Sequence, residues 1–268
     1  MRSCLRFPGG KTRAVKYLKD FIPKGTKELV SPFLGGGSFE LYCASELGIR
    51  VYAADIFIPL VYFWNHLLYD TSELKRRVSS YLPLVTKEKY TLMQNKLQSL
   101  ENTIDIATHF FVLNRCSFSG NIAGGFTPYG ISKTGRNPRF NSTIVDRLDM
   151  YVSINERFYV ELSSFEDTLN KYESKIFTYL DPPYIIKDKI YGAKQDRLHM
   201  INHTKLRDIL KRRKGPWLLS YNNCDKVKEL YEGFSIIEDI EWRYGMSKDK
   251  TSKELLILSP KLEKLLKR

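Results

Sequence analysis

Hydrophobic and polar positions in the first part of the chain follow the order strand, turn, helix, strand. A short apolar run over 28–33 leads into three consecutive glycines, after which apolar residues recur at helical spacing over 38–47. A second short apolar run over 50–54 ends at Asp55. This order predicts two parallel strands joined by a helix, with a ligand site at the carboxyl ends of the strands.

The middle of the chain has a different pattern, which favours helices over strands. Amphipathic spacing over 72–82, 87–100 and 103–115 predicts three helices. The segment over 117–141 that follows has no regular period and contains five glycines among aromatic residues and arginines. We interpret 117–141 as a long functional loop.

Strand and helix patterns alternate again in the last part of the chain. Strands are predicted over 158–162, 176–180, 217–220, 234–240 and 254–259, and helices over 204–213 and 225–231. The last two strands are expected to form a hairpin, which makes an otherwise parallel sheet mixed. The whole pattern predicts an α/β fold. Its catalytic domain comprises 1–64 and 156–268, and 65–155 is a mainly helical inserted domain.

The charge of the chain narrows the choice of partner. Its 268 residues include 43 Lys and Arg against 30 Asp and Glu, for a formal net charge of +13. A surplus of this size favours an extended polyanion such as nucleic acid, and a solvated basic surface is the alternative.

Cysteines, histidines and the N-terminus indicate an intracellular protein without a metal. The four cysteines form no C-x-x-C pair, which argues against structural zinc and against a disulfide framework. His199 and His203 are four residues apart, but no third ligand is evident. Because the N-terminus has no apolar segment, we expect a cytoplasmic protein that does not enter the membrane.

The sequence Asp181-Pro182-Pro183-Tyr184 directly follows the predicted strand over 176–180. The two prolines hold a stiff turn and leave preceding carbonyls free as acceptors. The Asp181 side chain and the Pro182 carbonyl could accept both hydrogens of adenine N6, which would free its lone pair for attack on a methyl donor. Tyr184 offers a face on which a base taken out of the duplex can stack. A plain strand-ending turn is the alternative.

Two features near the first strands are typical of a nucleoside-binding site. Gly35 and Gly37 let the backbone approach such a ligand closely, and Asp55 stands where a carboxylate binds ribose hydroxyls or caps a helix. A Pro-Gly-Gly-Lys-Thr sequence near the N-terminus resembles a phosphate-binding loop, but Leu5 occupies a position where that loop needs glycine. We therefore interpret Lys11 as a charged contact in a turn that faces the cofactor.

Taken in order, six short motifs resemble those of the Dam-like (D12, alpha-class) DNA adenine-N6 methyltransferases. They are Phe-Pro-Gly-Gly-Lys at 7–11, Pro-Phe-Leu-Gly-Gly-Gly-Ser at 32–38, Ala-Asp at 54–55, Leu-Asn-Arg at 113–115, Phe-Asn at 140–141 and Asp-Pro-Pro-Tyr at 181–184. The resemblance covers nearly the whole chain. It implies a Rossmann-like class I methyltransferase fold with a mixed seven-stranded sheet and an inserted DNA-recognition domain.

The resemblance also implies an activity. S-adenosylmethionine would donate a methyl group to N6 of an adenine flipped out of double-stranded DNA at a specific site. A cognate restriction endonuclease is an expected partner, and a monomer or weak dimer is the expected state. GATC-specific members carry an arginine shortly after the turn at 118–120 to read guanine, and this chain has Asn121-Ile122-Ala123-Gly124-Gly125 instead. This departure argues against GATC and leaves the target sequence open.

The resemblance further implies roles for individual residues. The catalytic residues are Asp181, Pro182, Pro183 and Tyr184. The cofactor contacts are Phe7, Lys11, Phe33, Gly35, Gly37, Asp55, Ser164, Phe165 and Asp181. The DNA contacts are Asn114, Arg115, Phe118, Ser119, Arg136, Arg139 and Lys248, with Phe118 as an aromatic wedge in the duplex.

Two rival functions share part of this pattern. Methyltransferases that act on RNA or on protein amides have similar Asp-Pro-Pro or Asn-Pro-Pro motifs, but they generally lack both the Pro-Gly-Gly-Lys start and a long basic insert. A catalytically inactive DNA-binding relative would not need intact Asp181, Tyr184, Gly35 and Asp55. We therefore expect a DNA adenine methyltransferase.

Overall fold

The computed structural model describes residues 1–7, 9–82, 85–123, 139–185, 201–242 and 252–267. Within these residues, seven strands form a single sheet in the order β3-β2-β1-β4-β5-β7-β6. The strands are β1 Glu28–Ser31, β2 Arg50–Asp55, β3 Phe158–Leu162, β4 Phe177–Leu180, β5 Trp217–Asn222, β6 Ser235–Trp242 and β7 Ser252–Leu258.

The sheet is mixed because of one strand. β1 to β5 pair in parallel, whereas β7 is antiparallel to both β5 and β6. The predicted terminal hairpin is thereby confirmed. Parallel strands are joined by crossovers that cover the faces of the sheet, so the central strands are buried on both faces. All four residues of β4 are buried.

Helices cover the sheet and build the insert. They are α1 Val15–Leu18, α2 Ser38–Leu47, α3 Ile58–Tyr69, α4 Thr71–Ser79, α5 Lys87–Lys96, α6 Thr103–Cys116, α7 Ser142–Asp146, α8 Phe165–Lys171, α9 His203–Arg212, α10 Asp225–Leu230 and α11 Pro260–Leu266. Short 3₁₀ segments comprise Lys11–Arg13, Lys19–Phe21, Leu97–Ser99, Phe118–Gly120 and Arg147–Ile154. The three predicted insert helices are thus present with small shifts at their ends.

The predicted insert over 65–155 shares one hydrophobic core with the rest of the chain. The predicted boundary after residue 64 falls inside α3, and α6 packs against that helix. Phe63 stacks on Phe111 of α6 with ring centroids 5.2 Å apart and planes 2° apart. A second apolar cluster joins α8, α9 and α10 to β4 and β5. Alternate residues of β4, β5 and β7 belong to the two clusters, so these strands are covered on both faces.

The described part of the chain was searched for membrane-spanning helices and for groups of metal-binding side chains. None of its helices has the length and apolar character needed to cross a membrane. The same residues contain no group of three His, Cys, Asp or Glu side chains placed to hold a metal ion. His199 lies outside the described residues.

Candidate active site

The Asp-Pro-Pro-Tyr motif lies at the carboxyl end of β4, in the middle of the sheet. Asp181 directly follows the strand, and its side chain is 20% exposed. Its Oδ1 accepts a hydrogen bond from Ser220 Oγ on the neighbouring strand β5 at 2.9 Å. The parallel pairing of β4 with β5 brings these two side chains together. The motif therefore occupies the position that the sequence predicted.

Lys11 is a buried cation that binds this motif from the N-terminal segment. Its side chain is 4% exposed, and its Nζ donates to Asp181 Oδ1 at 2.8 Å and to Tyr184 OH at 2.7 Å. A buried ammonium group is stable only where charged and polar partners replace water. The sequence predicted Lys11 as a cofactor contact, and the structure places it against the catalytic residues.

Glu254 on β7 is a buried carboxylate beside this motif that the sequence analysis did not single out. Its side chain is completely buried, its Oε1 accepts a hydrogen bond from Tyr184 OH at 2.5 Å, and its Oε2 lies 3.7 Å from Lys11 Nζ. Burial and the nearby Asp181 and Glu254 carboxylates raise the pKa of Tyr184 well above its usual range, so its hydroxyl stays protonated. An acidic residue at the start of the apolar run Glu-Leu-Leu-Ile-Leu was the available signal, because buried carboxylates are normally paired.

Glu40 on α2 is a second buried carboxylate that was not predicted. It is 3% exposed and accepts a hydrogen bond from Ser31 Oγ at 2.6 Å. Burial raises the pKa of Glu40 to about 7, and the Asp181 charge adds to this effect, whereas Ser31 and Lys11 oppose it. Glu40 therefore changes its ionisation near neutral pH, within the electrostatic field of the site.

The glycine loop after β1 is shaped by close contact with Phe7. Gly35 has φ +48°, and a Cβ added there would lie 3.0 Å from Phe7 Cε1. At Gly36 the added Cβ would lie 2.9 Å from Phe7 Cβ. Gly37 has φ +63° and lies directly before α2. Glycine is required here both by the backbone conformation and by the ring that packs on the loop.

Asp55 at the end of β2 holds the glycine loop in place. Its Oδ2 accepts a hydrogen bond from the Gly35 N–H and its Oδ1 accepts one from the Phe57 N–H, both at 3.0 Å. Burial raises the pKa of Asp55, and these backbone hydrogen bonds oppose the shift. Each carboxylate oxygen can accept a further hydrogen bond, so binding the loop is compatible with binding ribose.

An aromatic pair lies beside the same edge of the sheet. Phe33 and Phe165 stack with ring centroids 5.6 Å apart. Ser164, predicted as a cofactor contact, is the N-cap of α8, where its Oγ accepts a hydrogen bond from the Asp167 N–H at 3.1 Å. Positive-φ glycines, a carboxylate that ends the second strand and an aromatic pair are features typical of a nucleoside-binding site.

The turn after α6 presents the predicted wedge to solvent. Phe118 is 64% exposed, and it begins the 3₁₀ turn Phe118–Gly120. Ser119 has φ +55°, which is uncommon for a residue other than glycine. An exposed aromatic ring on a sharp turn has the geometry needed to enter a duplex.

Two residues that were predicted to bind DNA instead face the protein interior. Asn114 is 1% exposed; its Oδ1 accepts from the Arg6 N–H at 2.9 Å, and its Nδ2 donates to the Arg6 and Gly120 carbonyls at 2.7 and 2.9 Å. Arg115 is 9% exposed and donates to the carbonyls of Arg139 and Cys4. In this structure the N-terminal segment covers the end of α6 and binds both side chains, and direct DNA contact by them stays a prediction.

The remaining predicted DNA contacts are only partly described. Arg139 is half-buried, and its carbonyl accepts the hydrogen bond from Arg115 Nε at 2.7 Å. Arg136 and Lys248 lie outside the described residues. Their roles stay predictions.

The fold and the site together define an α/β methyltransferase. A glycine loop follows β1, a carboxylate ends β2, an Asp-Pro-Pro-Tyr motif follows β4, and the only reversed strand among those described is β7. The sequence model of the D12 class N6 adenine-specific DNA methyltransferases matches residues 7–246, which is most of the chain. The chain belongs to this family and is a DNA methyltransferase.

Named relatives match over almost their whole length. The chain is 24% identical over 266 residues to the type II methyltransferase M.CviBI of Paramecium bursaria Chlorella virus NC1A, covering 95% of this chain and 96% of that protein. It is 26% identical over 262 residues to the type II methyltransferase M.MjaIII of Methanocaldococcus jannaschii, covering 87% and 88%. A precorrin 8W decarboxylase structure from Methanobacterium thermoautotrophicum overlaps 94% of this chain and 92% of its own at 11% identity, with a TM-score of 0.41. A TM-score of 0.41 is too low for this structure to support the assignment.

Proposed function

We propose that this protein transfers a methyl group from S-adenosylmethionine to N6 of an adenine that is flipped out of double-stranded DNA. The observation that carries the proposal is the Asp181 carboxylate at the end of β4, bound by Lys11 and Ser220 beside the glycine loop. Membership of the family supports adenine as the target base. The cofactor supplies an activated methyl group on a sulfonium centre.

The residues of the chain position the base and prepare its amino group. In the described part of the chain, Lys11 and Ser220 both bind Oδ1 of Asp181, so we assign Oδ2 to the adenine amino group. The Pro182 carbonyl accepts the second N6 hydrogen, which moves the nitrogen towards sp³ geometry and directs its lone pair at the methyl group. Tyr184 stacks on the flipped ring. The proton that N6 loses after transfer passes to an Asp181 oxygen or to water.

The identity of the product tests this proposal directly. The protein is incubated with unmethylated duplex DNA and isotope-labelled S-adenosylmethionine, and the DNA is then digested and analysed by mass spectrometry. We expect labelled N6-methyladenine. N4-methylcytosine, 5-methylcytosine or an unmodified digest would each contradict the proposal.

An Asp181→Ala variant tests whether Asp181 acts in methyl transfer and not in DNA binding. We expect this change to abolish turnover while DNA affinity stays close to that of the unchanged protein, because phosphate contacts supply most nonspecific affinity. Loss of DNA binding in a folded variant would contradict this separation of roles.

The names of the relatives support a further part of the proposal. Both are type II methyltransferases. We therefore propose that this protein modifies one defined sequence, alongside a restriction endonuclease that cuts the same sequence when it is unmodified. Methylome sequencing of a host that expresses the protein would show a single methylated motif, and scattered methylation would contradict the proposal.

A further inference from the structure

We propose that Glu254 is a positioning residue for methyl transfer, which acts on the Asp-Pro-Pro-Tyr motif through the Tyr184 hydroxyl and Lys11. The inference rests on the adenine methylation proposed above. Glu254 lies on β7 and is separated from Tyr184 by 70 positions in the sequence. It is completely buried, so its charge is not screened by solvent.

The Tyr184 hydroxyl is bound on both sides. It accepts a hydrogen bond from Lys11 Nζ at 2.7 Å and donates its own hydrogen to Glu254 Oε1 at 2.5 Å. A hydroxyl has one hydrogen, so the hydrogen that Glu254 accepts is not available to Asp181. Asp181 thus keeps its capacity to accept the amino hydrogens of the base. The two bonds also fix the plane of the ring on which that base stacks.

Glu254 also changes the charge balance around Lys11. The Lys11 ammonium lies 2.8 Å from Asp181 Oδ1 and 3.7 Å from Glu254 Oε2, so one buried cation is shared by two carboxylates. With both carboxylates ionised, the group of Asp181, Glu254 and Lys11 has one surplus negative charge. Adenine N6 becomes more positive as it attacks the methyl group, and fixed negative charge nearby stabilises that transition state. Glu254 is therefore expected to contribute to the rate of transfer more than to binding of either substrate.

A purely structural role would leave a different kinetic signature. If Glu254 only stabilised the fold, a folded variant would transfer methyl groups at the normal rate. If it only helped to bind the cofactor or DNA, a variant would have a higher KM and an unchanged kcat. The positioning role predicts a lower kcat with little change in KM.

Three variants separate these roles in steady-state methylation of unmethylated plasmid DNA. Glu254→Gln keeps the shape and an acceptor oxygen but removes the charge, and Tyr184→Phe keeps the ring but removes the hydroxyl. We expect each to lower kcat by about tenfold or more, with KM values for DNA and S-adenosylmethionine within about twofold of the original. The double variant should lose less than the product of the two single losses, because both changes weaken the charged hydrogen bond between Tyr184 and Glu254, whereas the charge beside Lys11 is lost only in Glu254→Gln.

The matched control is Glu238→Gln, which removes an exposed carboxylate from the neighbouring strand β6 and should leave kcat unchanged. Normal kcat in Glu254→Gln or in Tyr184→Phe, a loss confined to KM, or fully multiplied losses in the double variant would each overturn the inference. Wild-type protein in the same assay distinguishes failure of the proposed adenine methylation from failure of the role proposed for Glu254. If it forms no N6-methyladenine, the proposed function fails and the inference fails with it. If it is active and Glu254→Gln is equally active, only the inference fails.

Discussion

Glu40 illustrates how a single buried side chain can link the stability of this protein to pH. Its carboxyl group is held between α2 and β1, with the Ser31 hydroxyl as a neutral hydrogen-bond donor. A neutral donor only partly replaces the water lost on burial, so the charged form is disfavoured.

The direction of the pH effect follows from the pKa of Glu40, which is about 7 in the folded protein against an ordinary value of 4.5. Between these values the folded protein holds a proton that the unfolded chain has released. Stability from this group is therefore fully present below pH 4.5, falls as the pH rises, and is lost above pH 7. The difference corresponds to a free energy on the order of 3 kcal/mol.

We expect Glu40→Gln to raise the unfolding temperature at pH 8 more than at pH 5.5. At pH 8 the variant avoids a buried charge, whereas at pH 5.5 the original side chain is already mostly protonated. Thermal unfolding of both proteins at the two pH values measures the effect. Exposed Glu229 provides the control substitution, Glu229→Gln, which should show no such difference. An equal shift at both pH values would contradict the assignment.

The N-terminal segment connects three parts of the molecule at the scale of elements. Asn114 at the end of α6 binds both backbone groups of Arg6, and Phe7 covers the glycine loop. Lys11 then reaches the catalytic motif. Gly120 packs so closely that an added Cβ would lie 1.7 Å from the Arg6 carbonyl oxygen. The turn Phe118–Gly120, the glycine loop and the Asp-Pro-Pro-Tyr motif are therefore all bound by one short stretch of chain.

The exposed Phe118 in the turn Phe118–Gly120 leads to a prediction about base flipping. We expect Phe118→Ala to reduce methylation of an intact duplex more than methylation of a duplex whose target adenine is mismatched, because a mismatch lowers the unstacking cost that the wedge offsets. Rates on the two substrates measure the difference. Equal losses would remove the wedge assignment.

Asn114→Ala gives the matched contrast to Phe118→Ala. Phe118 is exposed, so its removal should leave thermal unfolding unchanged. Asn114 is buried, and its removal leaves the Arg6 and Gly120 carbonyls without their donor, which should lower the free energy of unfolding by about 1–3 kcal/mol. The reverse order of stability would contradict the burial seen for these residues.

Elements were predicted best where the pattern is local and regular. The helix over 38–47 and the strand over 158–162 have the predicted bounds. Helix α3 was missed because Pro59, Asn65 and His66 interrupt an apolar run. Pro59 lies in the first turn of α3, where its missing N–H costs nothing, so it begins the helix instead of breaking it. The sequence analysis also missed that the Asn114 side chain is buried. Its burial depends on hydrogen bonds to Arg6, which is more than a hundred residues away in the sequence.

The net positive charge is spread along the whole chain. Residues 1–64 include nine basic and five acidic residues, 65–155 include eleven and seven, and 156–268 include twenty-three and eighteen. The surplus is thus shared almost equally by the three parts and is not concentrated in the insert. Attraction to DNA phosphates is therefore expected from several surfaces together.

Binding to DNA should weaken strongly with salt. We expect the affinity for duplex DNA to fall by about a hundredfold or more between 50 and 200 mM salt, because each phosphate contact releases a condensed counterion. Calorimetric binding of S-adenosylhomocysteine, which makes no such contacts, should change little over the same range. A DNA affinity that does not depend on salt would contradict this view of the surface.

The sequence by itself determined the order of strands and helices, the glycine loop and the position of Asp-Pro-Pro-Tyr after a strand, because these features depend on spacing between near neighbours. Only the tertiary structure decided which side chains meet. Lys11 and Glu254 reach Tyr184 from opposite ends of the chain, and Asn114 and Arg115 turn inward beneath the N-terminal segment. Burial and pairing arise from packing between distant segments, which local patterns do not encode.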